Sequence, residues 1–330
     1  MIGPGETISV PVTSGTDIAE ARRIAAAVGE ELSMDQTEVG RLSVVVTELA
    51  RNVLIHGRGG EVLISRPRGE AAMVEVVALD SGPGMTNFED CARDGFSTAG
   101  TPGTGLGAIR RMADEAAFLT APGQGTIALS RLWRKGKPEN QPTAAWGGIS
   151  VPVAGESVCG DAWAAKRQGG STWAIVCDGL GHGPQAREAA VAAVDWFLGT
   201  AAGSPAEMIS GVHGNLRGTR GASVAVAEYA AGQVRYCGIG NIGASLHQAA
   251  GVRHLVSHNG TAGHSAQRIQ EFQYPAGHAS VLVMTSDGIL SQWSLAYESL
   301  RGCDPVISAA TIYRDFQRKR DDSTVLTVKL

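Results

Sequence analysis

Cysteine, basic runs and long apolar runs are all scarce in this chain, and each scarcity excludes something. The five cysteines (Cys91, Cys159, Cys177, Cys237 and Cys303) are scattered through 330 residues with no C-x-x-C pair. That spacing supports neither a disulfide framework nor a structural zinc site. Formal net charge is −4 and no long basic run is present, which argues against a nucleic-acid groove. The densest basic patch, Arg318-Lys319-Arg320, runs at once into Asp321-Asp322 and reads as a solvated helix end. No apolar run reaches the roughly 20 residues that a membrane helix needs. The N-terminal "MIGPGETISV" lacks the basic region and apolar core of a secretory signal. These absences predict a soluble, cytoplasmic chain that uses neither nucleic acid nor membrane. What is present, 43% hydrophobic and 18% charged residues, is enough to bury real cores in two ordinary domains.

One break stands out. "WRKGKPENQPTAAW", residues 133–146, is polar, holds two prolines and lies between strand-like segments, so it reads as an interdomain linker. Before it, Ile18, Ala21, Ile24, Ala25, Val28 and Leu32 share a helical face. Ser33 and Gln36 then look like a capping-box pair opening a second helix, with Val39, Leu42, Val46, Leu49 and Val53 in a stripe. "EVLIS" and "MVEVVAL" read as strands, followed by a glycine-rich stretch with its helix and a last strand, "GTIALSRLW". This predicts an α/β sandwich with helices on one face. After the linker, "STWAIVCD", "GASVAVAEY", "QVRYCGIG", "ASVLVMTSD" and "STVLTVKL" read as strands. Helices are predicted at about 184–198, 205–217 and 305–319. Strands in hairpin-like succession, with helices bunched between them, predict antiparallel sheets flanked by helices.

In the first half, Glu48 and Asn52 sit at i, i+4 and share a helix face beside the apolar stripe. Taken alone, such a pair is a boundary between core and solvent. "LDSGPGM" adds Asp80 at a strand end, with Gly82 and Gly84 in the turn after it. There a carboxylate can accept from an exocyclic amine while backbone approaches a flat base. "GFSTAGTPGTGLGAIRRMAD", residues 95–114, then joins glycines to a helix start, where bare N–H groups and the dipole favour an anion. A dehydrogenase-like glycine loop would follow directly on a buried strand, and "TNFEDCARD" before these glycines is too polar to be one.

With "GQGT" before the last strand, these elements resemble the Bergerat (GHKL) ATP-binding family over roughly residues 5–135. "TELARNVLIHG" is similar to its N-box, "DSGPGM" to its adenine box and "GTGLGAIRRMAD" to its phosphate-lid box. Within the family the chain is most similar to the RsbT-like switch serine kinases of bacterial stress signalling. The resemblance implies that Asn52 holds Mg²⁺ on the phosphates of ATP and that Asp80, with Gly82 and Gly84, reads the adenine. It further implies that Gly103, Gly105, Leu106 and Gly107 offer backbone to the phosphates, that Thr126 lines the adenine end, and that Glu48 is the general base.

Past the linker, acidic residues recur beside glycine or at strand ends: Asp161 in "CGDAW", Asp178 in "VCDGLGHG", Asp287 in "TSDGIL" and Asp321-Asp322 before "STVLTV". One Asp-Gly is a turn dipeptide. Four acidic positions at apolar strand ends point carboxylates to a rim where hard cations could be held. These motifs resemble the metal-dependent PP2C phosphatases of the SpoIIE branch, closest to the RsbX-like phosphatases, over about residues 146–330. The resemblance implies two Mn²⁺ or Mg²⁺ ions bridged by Asp178, with the Gly179 carbonyl, Asp161, Asp287, Asp321 and Asp322 completing the set, and hydrolysis without a covalent intermediate. His182 reads as an acid for the leaving oxygen or as a loop residue. Asn241 reads as loop-shaping, and the remaining histidines form no metal-spaced set.

The expected fold class is α+β. A Bergerat α/β sandwich (residues 1–135) is followed by a linker (136–145) and a PP2C-like α-β-β-α sandwich (146–330). The two resemblances imply a bifunctional serine/threonine kinase and phosphatase acting on an STAS-domain phosphoprotein in a partner-switching or stressosome-like pathway. The alternative is a phosphatase gated by a non-catalytic module that binds nucleotide and a partner such as a sigma factor.

Overall fold

The computed structural model describes residues 5–68, 72–86, 105–139, 144–201, 203–266 and 268–330. The chain divides into two units, Met1–Thr143 and Ala144–Leu330.

In the first unit, helices α1 (Gly15–Glu31) and α2 (Gln36–Ile55) follow strand β1 (Thr7–Val12). Then come β2 (Gly60–Ser65), β3 (Met73–Asp80), α3 (Gly105–Met112), β4 (Glu115–Thr120) and β5 (Thr126–Trp133). The five strands form one antiparallel sheet in the order β1-β2-β3-β5-β4. Ala21, Ala25 and Val28 of α1 and Leu42, Val46, Leu49 and Val53 of α2 pack with Val62, Ile64, Val74, Val76 and Ala78 of the sheet. The predicted helix stripes are therefore the core-facing ones.

Two strands have no clear signature in the sequence. β1 carries Pro11 and stands at the edge of the sheet beside β2, where proline is tolerated. β4 is half-buried at every position and shows no alternation. The predicted cap of α2 is also displaced. Its N-cap is Asp35, whose carboxylate accepts from Glu38 N (2.8 Å) while Glu38 returns the bond to Asp35 N (2.8 Å). Ser33 instead ends α1 in a left-handed conformation (φ 59°), its N–H donating to Glu30 O at 2.9 Å. A carboxylate pair three residues apart supplies the box that a hydroxyl and an amide two residues earlier were expected to make.

The second unit holds two five-stranded antiparallel sheets. One contains β7 (Asp161–Gln168), β8 (Ser171–Gly179), β9 (Ala222–Ala230), β10 (Gln233–Ile239) and β13 (Phe272–Pro275), in the order β13-β10-β9-β8-β7. The other contains β6 (Trp146–Val151), β11 (Gly243–Gln248), β12 (Gly251–His254), β14 (Val281–Thr285) and β15 (Ser323–Lys329), in the order β12-β11-β14-β15-β6.

Side-chain alternation builds the layers. Trp173, Ile175 and Cys177 of β8 face helices α4 (Pro184–Gly199) and α5 (Pro205–Asn215). Ala174 and Val176 of the same strand pack with Leu282, Met284, Leu326 and Val328 of the other sheet. Short α6 (Tyr297–Gly302) leads into α7 (Pro305–Phe316), which lies on β6 and β15. The result is an α-β-β-α sandwich, and the chain as a whole is α+β. No helix among the described residues is long and apolar enough to cross a membrane.

The displaced cap gives a direct test. Asp35→Ala should cost about 1 kcal/mol of stability and lower the thermal midpoint of the first unit, whereas Ser33→Ala should leave it nearly unchanged. Thermal unfolding followed by circular dichroism reads the difference.

Candidate functional site

The first candidate site forms where α2, the β3 end and the start of α3 meet. Glu48 and Asn52 are half-buried on α2. A Cβ placed on Gly105, the first residue of α3, would lie 2.8 Å from Glu48 Oε2 and 3.7 Å from Asn52 Oδ1. The two side chains therefore face a helix N-terminus, where unpaired amides and the positive dipole end favour anions. Leu106 packs on the core and Gly107 is buried. Gly103 lies outside the described residues, as does the glycine-rich stretch up to residue 104.

Asp80 anchors the other side. It is buried, and its Oδ1 accepts from Gly82 N (2.9 Å) and Thr126 N (3.1 Å). Three glycines allow the loops to close around it. A Cβ on Gly57 would meet Asp80 Cβ at 2.4 Å, and one on Gly82 would meet His56 O at 2.7 Å. Gly125, in the left-handed region (φ 70°), brings its Cα so close that a Cβ would sit 2.1 Å from Asp80 O. Gly84 lies farther along, its turn packed against Ala121. Gly57 was missed in the sequence because nothing local marks a glycine that is needed by a strand 23 positions away.

The far end of α3 is clamped. Arg41 of α2 donates to Met112 O (2.8 Å) and pairs with Asp114 Oδ1 (2.5 Å), while Trp133 N donates to Asp114 Oδ2 (2.8 Å). A fixed carboxyl end of α3 sets the direction in which its amino end points at Glu48.

The second candidate site is a rim of carboxylates in the second unit. Antiparallel register places Asp161, the first residue of β7, opposite Asp178, near the end of β8. Asp161 is 2% exposed, and among the described residues its Oδ2 has no hydrogen-bond partner. Burial pushes its carboxyl up to about 7, with Asp322 and Asp321 adding to the shift and the hydroxyls of Ser286 and Thr324 opposing it. Burial pushes Asp178 up to about 9, helped by the charges of Asp161, Asp287, Asp321 and Asp322. Asp287 is also raised, first by burial and then by Asp321. The predicted acidic residues thus act on one another electrostatically.

Their orientations differ. Asp322 is turned toward backbone, accepting from Val153 N at 2.7 Å and Gly160 N at 2.6 Å. It ties the loop before β7 to the start of β15. Gly179, expected to contribute its carbonyl, is buried, and a Cβ there would lie 2.1 Å from Ala186 O, so α4 packs directly on it. Among the described residues no three His, Cys, Asp or Glu side chains converge as a closed metal cage. The donor chemistry nevertheless fits a hard cation. It offers oxygen ligands, one of them a buried carboxylate oxygen without a partner, and mutual repulsion that positive charge would relieve.

Three supporting contacts surround the rim. Asn241 Nδ2 donates to Asp287 Oδ2 at 2.6 Å, so the residue read as loop-shaping holds a carboxylate of the site. Arg187 Nη1 donates to Asp161 O at 3.2 Å. His182 is exposed and its Nδ1 meets Glu156 Oε1 at 2.5 Å.

Comparison with known proteins gives two separate likenesses. Residues 12–131 match the family described as histidine kinase-like ATPase domain. The serine/threonine-protein kinase RsbT of Bacillus subtilis (strain 168) is 31% identical over 126 residues, which is 38% of this chain and 94% of the kinase. Among solved structures, a chain from a study of the bacterial stressosome, described as a modular system adapted to control secondary messenger signalling, is 25% identical with a TM-score of 0.53. The match covers 56% of this chain and 98% of that one. RsbX in complex with magnesium is 21% identical with a TM-score of 0.48, over 55% of this chain and 92% of RsbX.

Raised carboxyl pKa values imply a pH dependence of defined sign. The folded state holds protons on Asp161 and Asp178 that the unfolded chain releases near its ordinary carboxylate pKa, so their contribution to stability is present at low pH. It is lost as pH rises through about 7 and about 9. Without divalent cations, the melting temperature of the second unit should fall progressively from about pH 4 to about pH 9, most steeply below about pH 7 where both groups contribute. Added Mg²⁺ should raise it more at the upper end than at the lower, because cation and proton compete for the same oxygens. Calorimetry with and without a chelator measures both effects.

Proposed function

Since the chain belongs, through residues 12–131, to the histidine kinase-like ATPase family, we propose that it is a two-headed signalling enzyme. It phosphorylates and dephosphorylates Ser or Thr of one partner protein. The observation that carries this reading is the pairing of Glu48 with a helix N-terminus in one unit and of Asp161 with Asp178 at a strand end in the other.

In the first unit, Asp80, held by two backbone amides, reads the adenine amine, with Gly82, Gly84 and Thr126 shaping the walls. The amides of Gly105, Leu106 and Gly107, together with Gly103, receive the phosphates of ATP, and the Asn52 amide oxygen is suited to a Mg²⁺ ion on them. Glu48 accepts the proton of the acceptor hydroxyl as its oxygen bonds to the γ-phosphorus and ADP leaves. Positioning supplies most of the rate in such transfers.

In the second unit Asp161, Asp178, the Gly179 carbonyl, Asp287 and Asp321 are the residues that would hold two Mg²⁺ or Mn²⁺ ions, with Asp322 bracing the loop before β7. Such ions, when bound, supply positive charge at the phosphoryl oxygens and lower the pKa of water. Asn241 orients Asp287, and Arg187 fixes the backbone at Asp161. Hydrolysis returns the hydroxyl and releases inorganic phosphate.

The partner is an STAS-domain phosphoprotein of a partner-switching or stressosome-like pathway. RsbT-like kinase homology and the likeness to a stressosome-study chain support that choice. Joining opposed activities in one chain raises the local concentration of each at a shared substrate.

The experiment is to incubate wild type, Glu48→Ala and Asp178→Ala with γ-labelled ATP, Mg²⁺ and the cognate STAS protein. Asp178→Ala should accumulate labelled partner and Glu48→Ala should label none. Absence of label with Asp178→Ala would reduce the first unit to a nucleotide-dependent gate on the phosphatase.

A further inference from the structure

The carboxylate rim poses a charge problem. Asp161, Asp178, Asp287, Asp321 and Asp322 surround the place where a phosphomonoester must sit, and such a group carries roughly −1.5 to −2 charges at neutral pH. Cations bound to the carboxylates offset part of this repulsion, and a cationic side chain on the phosphoryl oxygens themselves would strengthen binding further. The basic side chains near the rim are mostly engaged. Arg187 is buried and bonds the Asp161 carbonyl. His182 is paired with Glu156. The charge of Arg318 acts on Asp287, whose carboxyl it helps to hold down.

Arg220 is different. It is exposed and makes no ion pair among the described residues. Strand register carries it to the right end of the sheet: Asp178 pairs with Ser223 and Gly179 with Ala222, so Arg220 lies two residues beyond β9 at the end where β8 delivers its aspartate. The two loops are joined there, since Leu180 N donates to Gly221 O at 3.0 Å. The Arg220 side chain folds back over the 179–183 loop. Its Nη1 lies 3.2 Å from where a Cβ on Gly181 would be, a space left open because Gly181 (φ 86°) has no side chain.

The turn that carries Arg220 is fixed from several directions. Gly221 N donates to Thr219 Oγ1 at 3.0 Å, and Ala222 exchanges backbone hydrogen bonds with Ala262 at 3.0 and 2.8 Å. His264 packs so closely on Gly221 (φ 77°) that a Cβ there would meet its Cδ2 at 2.5 Å. A guanidinium on a braced turn is pre-organised, and its planar fork matches two phosphoryl oxygens as an ammonium cannot.

We infer that Arg220 binds the nonbridging oxygens of the substrate phosphoryl group and so sets the affinity of the carboxylate site for phosphomonoesters. This rests on the phosphatase reading of the second unit. The test uses the full chain with Mg²⁺ or Mn²⁺, p-nitrophenyl phosphate as substrate and inorganic phosphate as competitive inhibitor. Arg220→Ala, Arg220→Lys and Arg217→Ala are compared with wild type, Arg217 being an exposed arginine of the same connection between α5 and β9.

Arg220→Ala should raise KM and the phosphate inhibition constant together by about tenfold or more, the loss of one charge-assisted contact. Arg220→Lys should recover part of both, and Arg217→Ala should change neither. The Mg²⁺-induced rise in melting temperature should be the same in all four proteins, which separates phosphate binding from cation binding and from misfolding. Unchanged KM and phosphate inhibition in Arg220→Ala, or an equal effect of Arg217→Ala, would overturn the assignment while leaving the phosphatase reading intact. If wild type hydrolyses no p-nitrophenyl phosphate with either cation, the phosphatase reading fails and this inference falls with it.

Discussion

Two carboxylates facing each other across a strand pair set the terms for the second unit. Asp161 and Asp178 are cross-strand partners, and like charges directly opposite one another destabilise a sheet. Burying either one as an anion would cost several kcal/mol without compensation. The surrounding structure is arranged to tolerate them. The hydroxyls of Ser286 and Thr324 lower the Asp161 carboxyl pKa against the rise from burial, and Arg187 holds the Asp161 carbonyl. Asn241 donates to Asp287, and Asp322 spends its oxygens on two backbone amides. The two sheets deliver Asp161 and Asp178 from one side and Asp287 and Asp321 from the other, so the repulsion belongs to the sandwich rather than to any single loop.

The first unit works by the opposite logic. Among the described residues its candidate site depends on backbone proximity. Gly57, Gly82 and Gly125 let three connections crowd around Asp80, and Gly105 lets α3 begin against Glu48 and Asn52. A side chain at Gly57, Gly82 or Gly125 would force apart loops that the site needs in contact, and one at Gly105 would displace the Glu48 carboxylate. The clamp of Arg41 and Asp114 on the far end of α3 then fixes the approach of its amino end. One unit gathers mutually repelling carboxylates, and the other brings a helix N-terminus against Glu48 and Asn52.

These differences decide what could be read from the sequence. The helix stripes of α1 and α2 were legible because burial follows a 3.6-residue period. The acidic rim was legible because each aspartate stands at or just beside one end of a strand. β1 and β4 were not, since an edge strand with Pro11 and a half-buried strand without alternation carry no periodic signal. The α2 cap was placed two residues early because Ser33 and Gln36 satisfy the same local pattern as Asp35 and Glu38. Gly57, Asn241 and Arg220 act through residues far along the chain, and only folding brings each to its partner.

The central claim is that the rim is held together against its own repulsion and is completed by cations. The most direct test is the melting temperature of Asp178→Asn at about pH 9 in a chelator, and again in Mg²⁺, beside wild type. Removing one of the opposed charges should raise the midpoint above wild type in chelator and sharply reduce the gain from Mg²⁺. A variant that melts below wild type in chelator, or that gains as much from Mg²⁺ as wild type does, would contradict the account.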